Sequence, residues 1–285
     1  MTPTLVAGYA RDMPRALPHH RTLAQSLVAL TLAAATVAGC NHERGPDVVA
    51  PEVIVAQPTP EPEIAAASFA EKRYTVCRVD LDVSTLDIFW QDDDGVALKS
   101  FSRLDTWLRG RGRRLAFAMN AGMYLEDYRP VGLYVEGGDE LRPLNLARGS
   151  SNFCLLPNGV FAITESGAVV VESSAYTQIQ AETSLATQSG PMLVIDGKLH
   201  PKFGRNSTSV HIRNGVGVIS PTEVVFAISD EPVNFHEFAT FFRDELGCEN
   251  ALYLDGAISS LYSPALGRDD HLANLGPILG VASDL

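Results

Sequence analysis

The chain has 285 residues, of which 46% are hydrophobic and 8% aromatic. This composition is sufficient for a buried core and excludes a chain that is disordered throughout. The formal net charge is −12. So acidic a chain repels phosphate backbones and anionic lipid headgroups, and we therefore expect no nucleic-acid partner and no direct binding to a membrane surface.

Residues 1–39 have the pattern of a secretory signal peptide. Arg11, Arg15 and Arg21 precede an apolar run, residues 23–38, which ends in small residues directly before Cys40. The run is shorter than the ~20 apolar residues of a transmembrane helix. A cysteine at this place resembles the bacterial lipobox, which implies that Cys40 is lipidated. We therefore expect a periplasmic protein held by a lipid anchor, at the outer rather than the inner membrane.

Residues 40–67 are predicted to be a tether without regular structure. They contain Pro46, Pro51, Pro58, Pro60 and Pro62 and show neither helical nor strand periodicity. The predicted folded domain is residues 68–285. Its three cysteines are an odd number, and we expect one disulfide, between Cys77 and Cys248.

The predicted elements begin with two strands, Tyr74–Leu81 and Thr85–Trp90, which we expect to form a hairpin. A helix follows, capped by Ser100 or Ser102 and closed by Gly110. The strand Leu115–Met119 then leads into Asn120. Further short strands are predicted at residues 131–136, 153–156, 160–164 and 168–171, and a hairpin at 192–200 that turns at Asp196-Gly197.

The last predicted unit is a strand, a helix and a strand. Val224–Ile228 precedes a helix that opens with the capping box Asn234-x-x-Glu237, and Ala251–Leu254 follows. Short connections favour a right-handed crossover with parallel strands, which places the loop after residue 229 at the same edge as Asp255. The pattern predicts a single α+β domain with a mixed, largely β core sheet and few helices, including this C-terminal βαβ unit.

Asp255 ends the last of these strands, in the sequence NALYLDGAISSLY. An acid at a strand end suggests an active-site carboxylate, and the alternative is an Asp-Gly turn. Five further motifs rich in small and amide residues precede it: NAGMY at 120–124, GLYVEGG at 132–138, NFCLLPNGVF at 152–161, ATQSGPMLVIDG at 186–197 and HIRNGVGV at 211–218. In this order, over about residues 72–282, the motifs resemble the phosphodiester glycosidase family. The likeness is to its bacterial branch, in which Ala or Ser follows Leu-Asp-Gly.

The resemblance implies a hydrolase that cleaves a glycosyl-phosphate diester, with a sugar-phosphate or polysaccharide as substrate. Asp255 matches the family's Leu-Asp-Gly and is the first catalytic candidate, with Asp230 or Glu231 as a second acid. Arg213 is the candidate phosphate clamp, because a guanidinium group presents a planar fork to two oxygens. Five further residues are candidates for substrate binding: Asn120, Tyr124, Asn158, Ser189 and Ser260, the last from its match to a family serine.

The sequence leaves two alternatives open. One is a non-catalytic carbohydrate-binding lipoprotein. The other is a phosphodiesterase in which Asp230, Glu231 and Asp255 bind Mg²⁺ or Ca²⁺, whose preferred ligands are oxygen atoms. The leading hypothesis requires no cofactor. No CxxC or HxxxH spacing is present after residue 67, so a zinc site is not expected.

Overall fold

Strands dominate the computed structural model, which describes residues 61–271 and 273–285. Two short α-helices are present in this part of the chain, α1 (Phe101–Arg109) and α2 (Phe235–Thr240), and a π-helical turn, Phe241–Glu245, continues α2. The strands are β1 Glu63–Phe69, β2 Lys72–Asp80, β3 Leu86–Phe89, β4 Arg113–Asn120, β5 Tyr134–Glu136, β6 Asp139–Arg142, β7 Gly159–Thr164, β8 Gly167–Glu172, β9 Thr183–Ser189, β10 Met192–Ile195, β11 Lys198–Leu199, β12 Asn214–Ser220, β13 Glu223–Ser229, β14 Asn250–Tyr253, β15 Leu261–Ser263, β16 Arg268–Asp269 and β17 Ile278–Asp284. The 3₁₀ turns are Asn152–Cys154, Ser173–Gln178, Gln180–Glu182, Gly256–Ile258 and Pro264–Leu266.

The strands form three sheets. The first has seven strands in the order β1-β2-β13-β12-β14-β10-β11, the second is β16-β15-β4-β17-β3, and the third is β6-β5-β9-β7-β8. The α+β class with few helices is confirmed. One detail differs, because the pairings between the described strands are antiparallel rather than mixed.

The main core lies where the three sheets meet. Phe226 of β13 contacts Phe117 of β4 at a ring-centroid distance of 5.3 Å and Phe161 of β7 at 6.2 Å. Each of these rings comes from a different sheet, and all three are fully buried. A second cluster, on the opposite face of the seven-stranded sheet, contains Phe238 and Phe242 from α2 and its π-helical turn. One sheet therefore contributes to two cores.

The predicted βαβ unit is β13, α2 and β14. The capping box is present, since Asn234 accepts a hydrogen bond from Glu237 N and the Glu237 carboxylate accepts one from Asn234 N. The two strands run in the same direction but lie on either side of β12, which is antiparallel to both. Their carboxyl ends therefore share an edge of the sheet, although the strands are not direct neighbours.

Three local predictions are corrected. β1 begins inside the predicted tether, because Glu63–Phe69 pairs along its whole length with β2. The predicted hairpin of the first two strands does not form, since β2 pairs with β13 whereas β3 pairs with β17 in another sheet. The segment predicted as a strand at 153–156 is a 3₁₀ turn, Asn152–Cys154, followed by a cis-proline.

The predicted disulfide is also wrong, because Cys77, Cys154 and Cys248 are free thiols. Cys77 lies in the core between the sheets, whereas Cys248 belongs to the cluster on the opposite face of the seven-stranded sheet. The sheet itself separates them. Burial raises the pKa of the Cys77 thiol well above its usual value and that of Cys248 to about 12, so both thiols are poor nucleophiles.

The predicted signal peptide, Cys40 and most of the predicted tether lie outside the described residues. Among the helices of residues 61–271 and 273–285, we find none with the length and apolarity needed to span a bilayer.

Candidate active site

Asp255 lies two residues beyond the end of β14, in a turn that its own side chain stabilises. Its Oδ1 accepts a hydrogen bond of 3.2 Å from Ala257 N and so caps the 3₁₀ turn Gly256–Ile258. Its backbone N donates to the carbonyl of Ala121 at 3.2 Å, which ties the turn to the end of β4. The side chain is half-buried. Asp255 is thus both the turn residue and the candidate acid of the sequence analysis.

Gly256 is required by a close approach within this turn. A Cβ atom at this position would lie 1.7 Å from the hydroxyl oxygen of Tyr253 and 2.5 Å from its Cζ. The backbone of the turn therefore rests directly on the Tyr253 ring, which comes from β14. No side chain other than hydrogen fits, and this contact explains the glycine after Asp255.

Arg213 supports this ring from inside the protein. It is only 1% exposed, its Nε donates to Val233 O at 2.9 Å, and its Nη2 donates to Ser209 O at 2.9 Å. Its Nη1 lies 3.2 Å from the Tyr253 hydroxyl, and the guanidinium lies over the Phe235 ring, 3.6 Å from its centroid. This arrangement leaves no open planar fork for two phosphate oxygens. The predicted clamp is therefore revised to a supporting role beneath the Asp255 turn.

Asn120 joins the Asp255 turn to the neighbouring strands. Its Nδ2 donates to the carbonyl of Asp255 at 2.9 Å, and its Oδ1 accepts from Ser260 N at 2.8 Å and from Asn214 Nδ2 at 3.0 Å. It is only 1% exposed. The role predicted for Asn120, substrate binding, is therefore corrected, because its amide is used to hold the turn in place.

The electrostatic environment of Asp255 differs from that of a surface aspartate. Burial raises the pKa of its carboxyl, and the hydrogen bond from Ala257 N only partly offsets this effect. The described chain provides no ion-pair partner for it. A partly desolvated carboxylate with no cation beside it to offset the cost is typical of catalytic groups.

An aromatic pair stands beside this carboxylate. Tyr124 stacks on Tyr128 with a centroid distance of 5.8 Å, and both rings are half-buried. Burial raises the pKa of Tyr124 to about 12, with a further contribution from the negative charge of Asp255. Gly276 leaves room for the Tyr124 ring, because a Cβ there would lie 2.4 Å from its Cγ. Tyr124 is thus a predicted binding residue that lies close to Asp255.

The two candidates for a second acid lie in ion pairs. Asp230 accepts hydrogen bonds from Thr75 Oγ1 at 3.1 Å and from Arg268 Nη1 at 2.9 Å. Glu231 accepts from Arg73 N at 3.0 Å and pairs with Lys72. Both candidate acids are therefore engaged by basic side chains, Asp230 by Arg268 and Glu231 by Lys72 and Arg73.

The remaining predicted residues are buried. Ser260 donates through Oγ to Ile258 O at 2.7 Å and shapes the turn after Asp255. Asn158 donates to Phe153 O at 2.8 Å within its own loop, and Ser189 is fully buried. All three side chains are buried, so direct contact with a substrate is not supported for them.

The metal alternative lacks its ligand set. Within residues 61–271 and 273–285, no three His, Cys, Asp or Glu side chains come close enough together to hold a metal ion. Asp230, Glu231 and Asp255 in particular do not converge.

Three residues around the site were not predicted from the sequence: Tyr128, Asn214 and Tyr253. Asn214 donates from Nδ2 to Asn120 and accepts from Ser259 Oγ at 3.3 Å, and it is fully buried. Asn214 lies in the motif HIRNGVGV, so the sequence did contain a signal for this residue. Tyr128 carries no such signal, because it lies outside the six motifs.

Asp255 is a half-buried, unpaired carboxylate held by a network of buried amides, in a largely β fold with few helices. These features indicate a candidate hydrolase. A family model described as phosphodiester glycosidase matches residues 113–273, which include the Asp255 turn. The chain belongs to the phosphodiester glycosidase family. Membership supports the broad class of glycosidase-type hydrolases.

Two proteins are similar to this chain, one in sequence and the other in fold. "Uncharacterized protein YigE" of Escherichia coli (strain K12) is 38% identical over 175 residues, which are 61% of this chain and 68% of that protein. The catalytic domain of zebrafish N-acetylglucosamine-1-phosphodiester alpha-N-acetylglucosaminidase, auto-inhibited by its pro-peptide, is 15% identical with a TM-score of 0.56. That comparison covers 80% of this chain and 84% of the zebrafish chain, and it shows a shared fold.

Proposed function

We propose that this protein hydrolyses the glycosidic bond of a sugar 1-phosphodiester, with Asp255 as the catalytic carboxylate. The observation that carries this proposal is the state of Asp255. Its carboxyl is half-buried, has a raised pKa, forms no ion pair with the described residues and is fixed by the network around Asn120. Membership of the phosphodiester glycosidase family supplies the reaction class.

The chemistry fits a site with one free acid. The anomeric carbon gains positive charge as its bond to the phosphate oxygen breaks. The ionised Asp255 either attacks that carbon and forms a glycosyl ester that water then hydrolyses, or accepts a proton from the water that attacks the carbon. The electron pair of the broken bond leaves with the phosphate, which becomes a phosphomonoester. Because phosphate is a good leaving group, it does not need a strong general acid. The ion pairs of Asp230 and Glu231 are therefore compatible with this mechanism.

We also propose an extracytoplasmic substrate, in envelope or exopolysaccharide material. The support is the pattern of residues 1–40, which predicts export and a lipid anchor at Cys40. The name of the zebrafish protein refers to a phosphodiester of N-acetylglucosamine, which suggests this sugar as the first to assay.

The reaction is tested by following which bond breaks. The protein is incubated with a sugar 1-phosphodiester of N-acetylglucosamine in water enriched in heavy oxygen, and the products are examined by mass spectrometry. Glycosidic cleavage places the label on the anomeric hydroxyl of the released sugar. Label in the phosphate would contradict the proposal and indicate a phosphodiesterase, and loss of activity with chelator would then point to a metal.

A binding measurement beside this assay separates catalysis from binding. A carbohydrate-binding lipoprotein would bind the sugar 1-phosphodiester without cleaving it, and the Asp255→Asn variant would bind with the same affinity. Sugar binding without turnover over a range of sugar 1-phosphodiesters would therefore contradict the proposed hydrolase.

A further inference from the structure

A wide groove lies beside α1, at the end of β4 that is remote from Asp255. It consists of two adjoining open clefts with volumes of about 530 and 390 Å³, and Trp107 and Glu136 line both of them. Asn120, at the carboxyl end of β4, holds the Asp255 turn, whereas Arg113, at the other end, lines the larger cleft. The length of this strand puts about 20 Å between the two places. The groove is therefore distinct from the candidate active site.

Both tryptophans of the chain line this groove. The sequence contains two, Trp90 and Trp107. Trp107 is half-buried and contacts the Phe89 ring at 6.2 Å, while Trp90 contacts the Tyr134 ring at 5.8 Å, edge to face in each case. These contacts fix the two indole planes. An indole combines a large apolar surface with a polar N–H group, so it can contact both the C–H groups and the oxygen atoms of a ligand.

The N–H groups of these two indoles have no partner. Nε1 of Trp90 and Nε1 of Trp107 are buried and form no hydrogen bond with any described residue. Trp90, which lines the smaller cleft, is only 8% exposed. A buried donor without an acceptor is destabilising and uncommon in native proteins. An oxygen atom of a ligand in the cleft would supply the acceptor.

Glu136 is an acid of the groove without an ion-pair partner in the described chain. Its Oε2 accepts a hydrogen bond of 2.6 Å from the Tyr134 hydroxyl. Burial raises the pKa of its carboxyl, this hydrogen bond offsets part of the effect, and the negative charge of Asp87 adds to it. Asp87 itself pairs with Arg113 at 3.0 Å. Glu136 therefore retains an oxygen atom that can accept hydrogen bonds from a ligand.

The charges around the groove select against an ionic ligand. The guanidinium of Arg111 lies 3.8 Å from the centroid of the Trp107 ring, so it occupies the place that a ligand cation would take and repels it. The clefts are lined by two arginines, Arg111 and Arg113, and by five acids: Asp87, Asp92, Asp93, Glu136 and Asp139. This excess of negative charge repels an anion. An uncharged ligand with hydroxyl groups fits the groove best.

We propose that the groove lined by Trp90, Trp107 and Glu136 binds an uncharged saccharide chain, at a place separate from the bond that Asp255 would cleave. Glu136 accepts hydrogen bonds from sugar hydroxyls, Trp107 contacts the C–H groups of a sugar ring, and Trp90 donates to a sugar oxygen. The two clefts adjoin, so several sugar units can lie along them, and each has the size of a ligand site. This inference goes beyond the proposed function and does not depend on it.

The two tryptophans make the groove directly observable. Because the chain has no other tryptophan, a proton–nitrogen correlation NMR spectrum contains two indole N–H signals, and both report on the groove. Three uncharged tetramers, chitotetraose, cellotetraose and maltotetraose, are titrated into the wild-type protein and into Glu136→Gln, Trp107→Leu and Glu165→Gln variants. Glu165→Gln is the matched control, because Glu165 is exposed in the turn between β7 and β8. Thermal unfolding of each variant checks that it is folded.

We expect at least one uncharged tetramer to shift both indole signals of the wild type until they saturate. Glu136→Gln should bind it about 10-fold or more weakly, because a hydrogen bond to a charged group is lost. Trp107→Leu, followed through the Trp90 signal, should also bind more weakly, while Glu165→Gln should stay within about threefold of the wild type. The absence of a saturable shift with every uncharged tetramer would overturn the proposal, and so would equal binding by Glu136→Gln.

Charged tetramers test the selection against ions. We expect the tetramers of glucosamine and of galacturonic acid to bind more weakly than the best uncharged tetramer, because Arg111 repels the first and the excess of acids repels the second. Tighter binding of either charged tetramer would indicate a site for an ionic ligand and overturn the proposal.

Failure here can be told apart from failure of the proposed function. Asp255→Asn should bind the tetramer with wild-type affinity, and Glu136→Gln should retain wild-type turnover of a short sugar 1-phosphodiester. If the wild type binds the tetramer but cleaves no sugar 1-phosphodiester, the proposed function fails while the groove stands. If it cleaves the phosphodiester and the indole signals do not respond to any uncharged tetramer, only the groove fails.

Discussion

Asp255 combines two properties at the scale of a single residue: it caps a turn, and its carboxyl is held in a partly desolvated place. The sequence predicted the residue because the strand end and the Asp-Gly pair are local features. It did not predict that Arg213 and Asn120 serve the turn from inside the protein. Their roles depend on Val233, Tyr253 and Ser260, which become neighbours only in the folded chain.

The raised pKa of Asp255 predicts a measurable effect on stability. The folded state binds the proton of this carboxyl more tightly than the unfolded chain does. Its contribution to stability therefore falls as the pH rises from the ordinary aspartate pKa through the raised one, and the loss is complete above the raised value. An amide at this position still accepts the hydrogen bond from Ala257 N but carries no charge.

We therefore expect Asp255→Asn to be at least as stable as the wild type at pH 7. This advantage should disappear below about pH 4, where aspartate in the unfolded chain is also protonated. Denaturant unfolding of both proteins across this pH range measures the difference. A clear loss of stability in Asp255→Asn at pH 7 would contradict the assignment of a desolvated carboxylate.

The contact between Gly256 and Tyr253 predicts that a single methyl group displaces the Asp255 turn. Gly256→Ala places a Cβ 1.7 Å from the Tyr253 hydroxyl, so the turn must move. A displacement of about 1 Å costs on the order of 100-fold in rate, and we expect a loss of that size in kcat/KM. Gly204→Ala is the control, because a Cβ there has no atom within 4 Å. Wild-type kcat/KM in Gly256→Ala would rule out this role.

At the scale of elements, the prediction succeeded where the pattern is local and failed where partners are distant. α1 and the capping box of α2 were found from spacing alone. β12 was not predicted as a strand, and Gly215 and Gly217 lie within it. Those glycines are needed since a Cβ would lie 2.9 Å from Leu252 O at Gly215 and 2.5 Å from Cys248 Sγ at Gly217.

β1 shows the same limit and leads to a prediction. Its alanine-rich sequence resembles the proline-rich tether before it, yet it pairs fully with β2, and Phe69 contacts the Phe241 ring at 5.9 Å. A chain that starts at Lys72 should be less stable than one that starts at Glu61, by about 2 kcal/mol or more from lost apolar burial. Urea unfolding of the two chains compares them. Equal midpoints would show that residues 63–69 belong to the tether.

At the scale of the whole molecule, three sheets meet at one aromatic cluster, and the described chain has no covalent cross-link between its cysteines. The α+β class followed from the number of strands and helices in the sequence. The division into three sheets did not, because strands next to each other in sequence, such as β2 and β3, join different sheets. Pairing over such distances leaves no local signal in a single sequence.

The free thiols can be tested directly. We expect a reducing agent to leave the thermal unfolding midpoint unchanged, because no disulfide joins Cys77 to Cys248. A thiol reagent should react with these two cysteines only after denaturation, since both are buried and the pKa of each is raised. A midpoint that falls on reduction would indicate a cross-link and contradict the structure.

The most direct test of the central claim is the turnover of Asp255→Asn on a sugar 1-phosphodiester. Asp196→Asn is the matched control, because Asp196 occupies the Asp-Gly turn of the hairpin formed by β10 and β11, with φ 47°, a left-handed value that asparagine tolerates. We expect kcat for Asp255→Asn to fall by at least about 1,000-fold with the fold intact, as for loss of a catalytic group, and Asp196→Asn to keep wild-type activity. Wild-type turnover in Asp255→Asn would contradict the account.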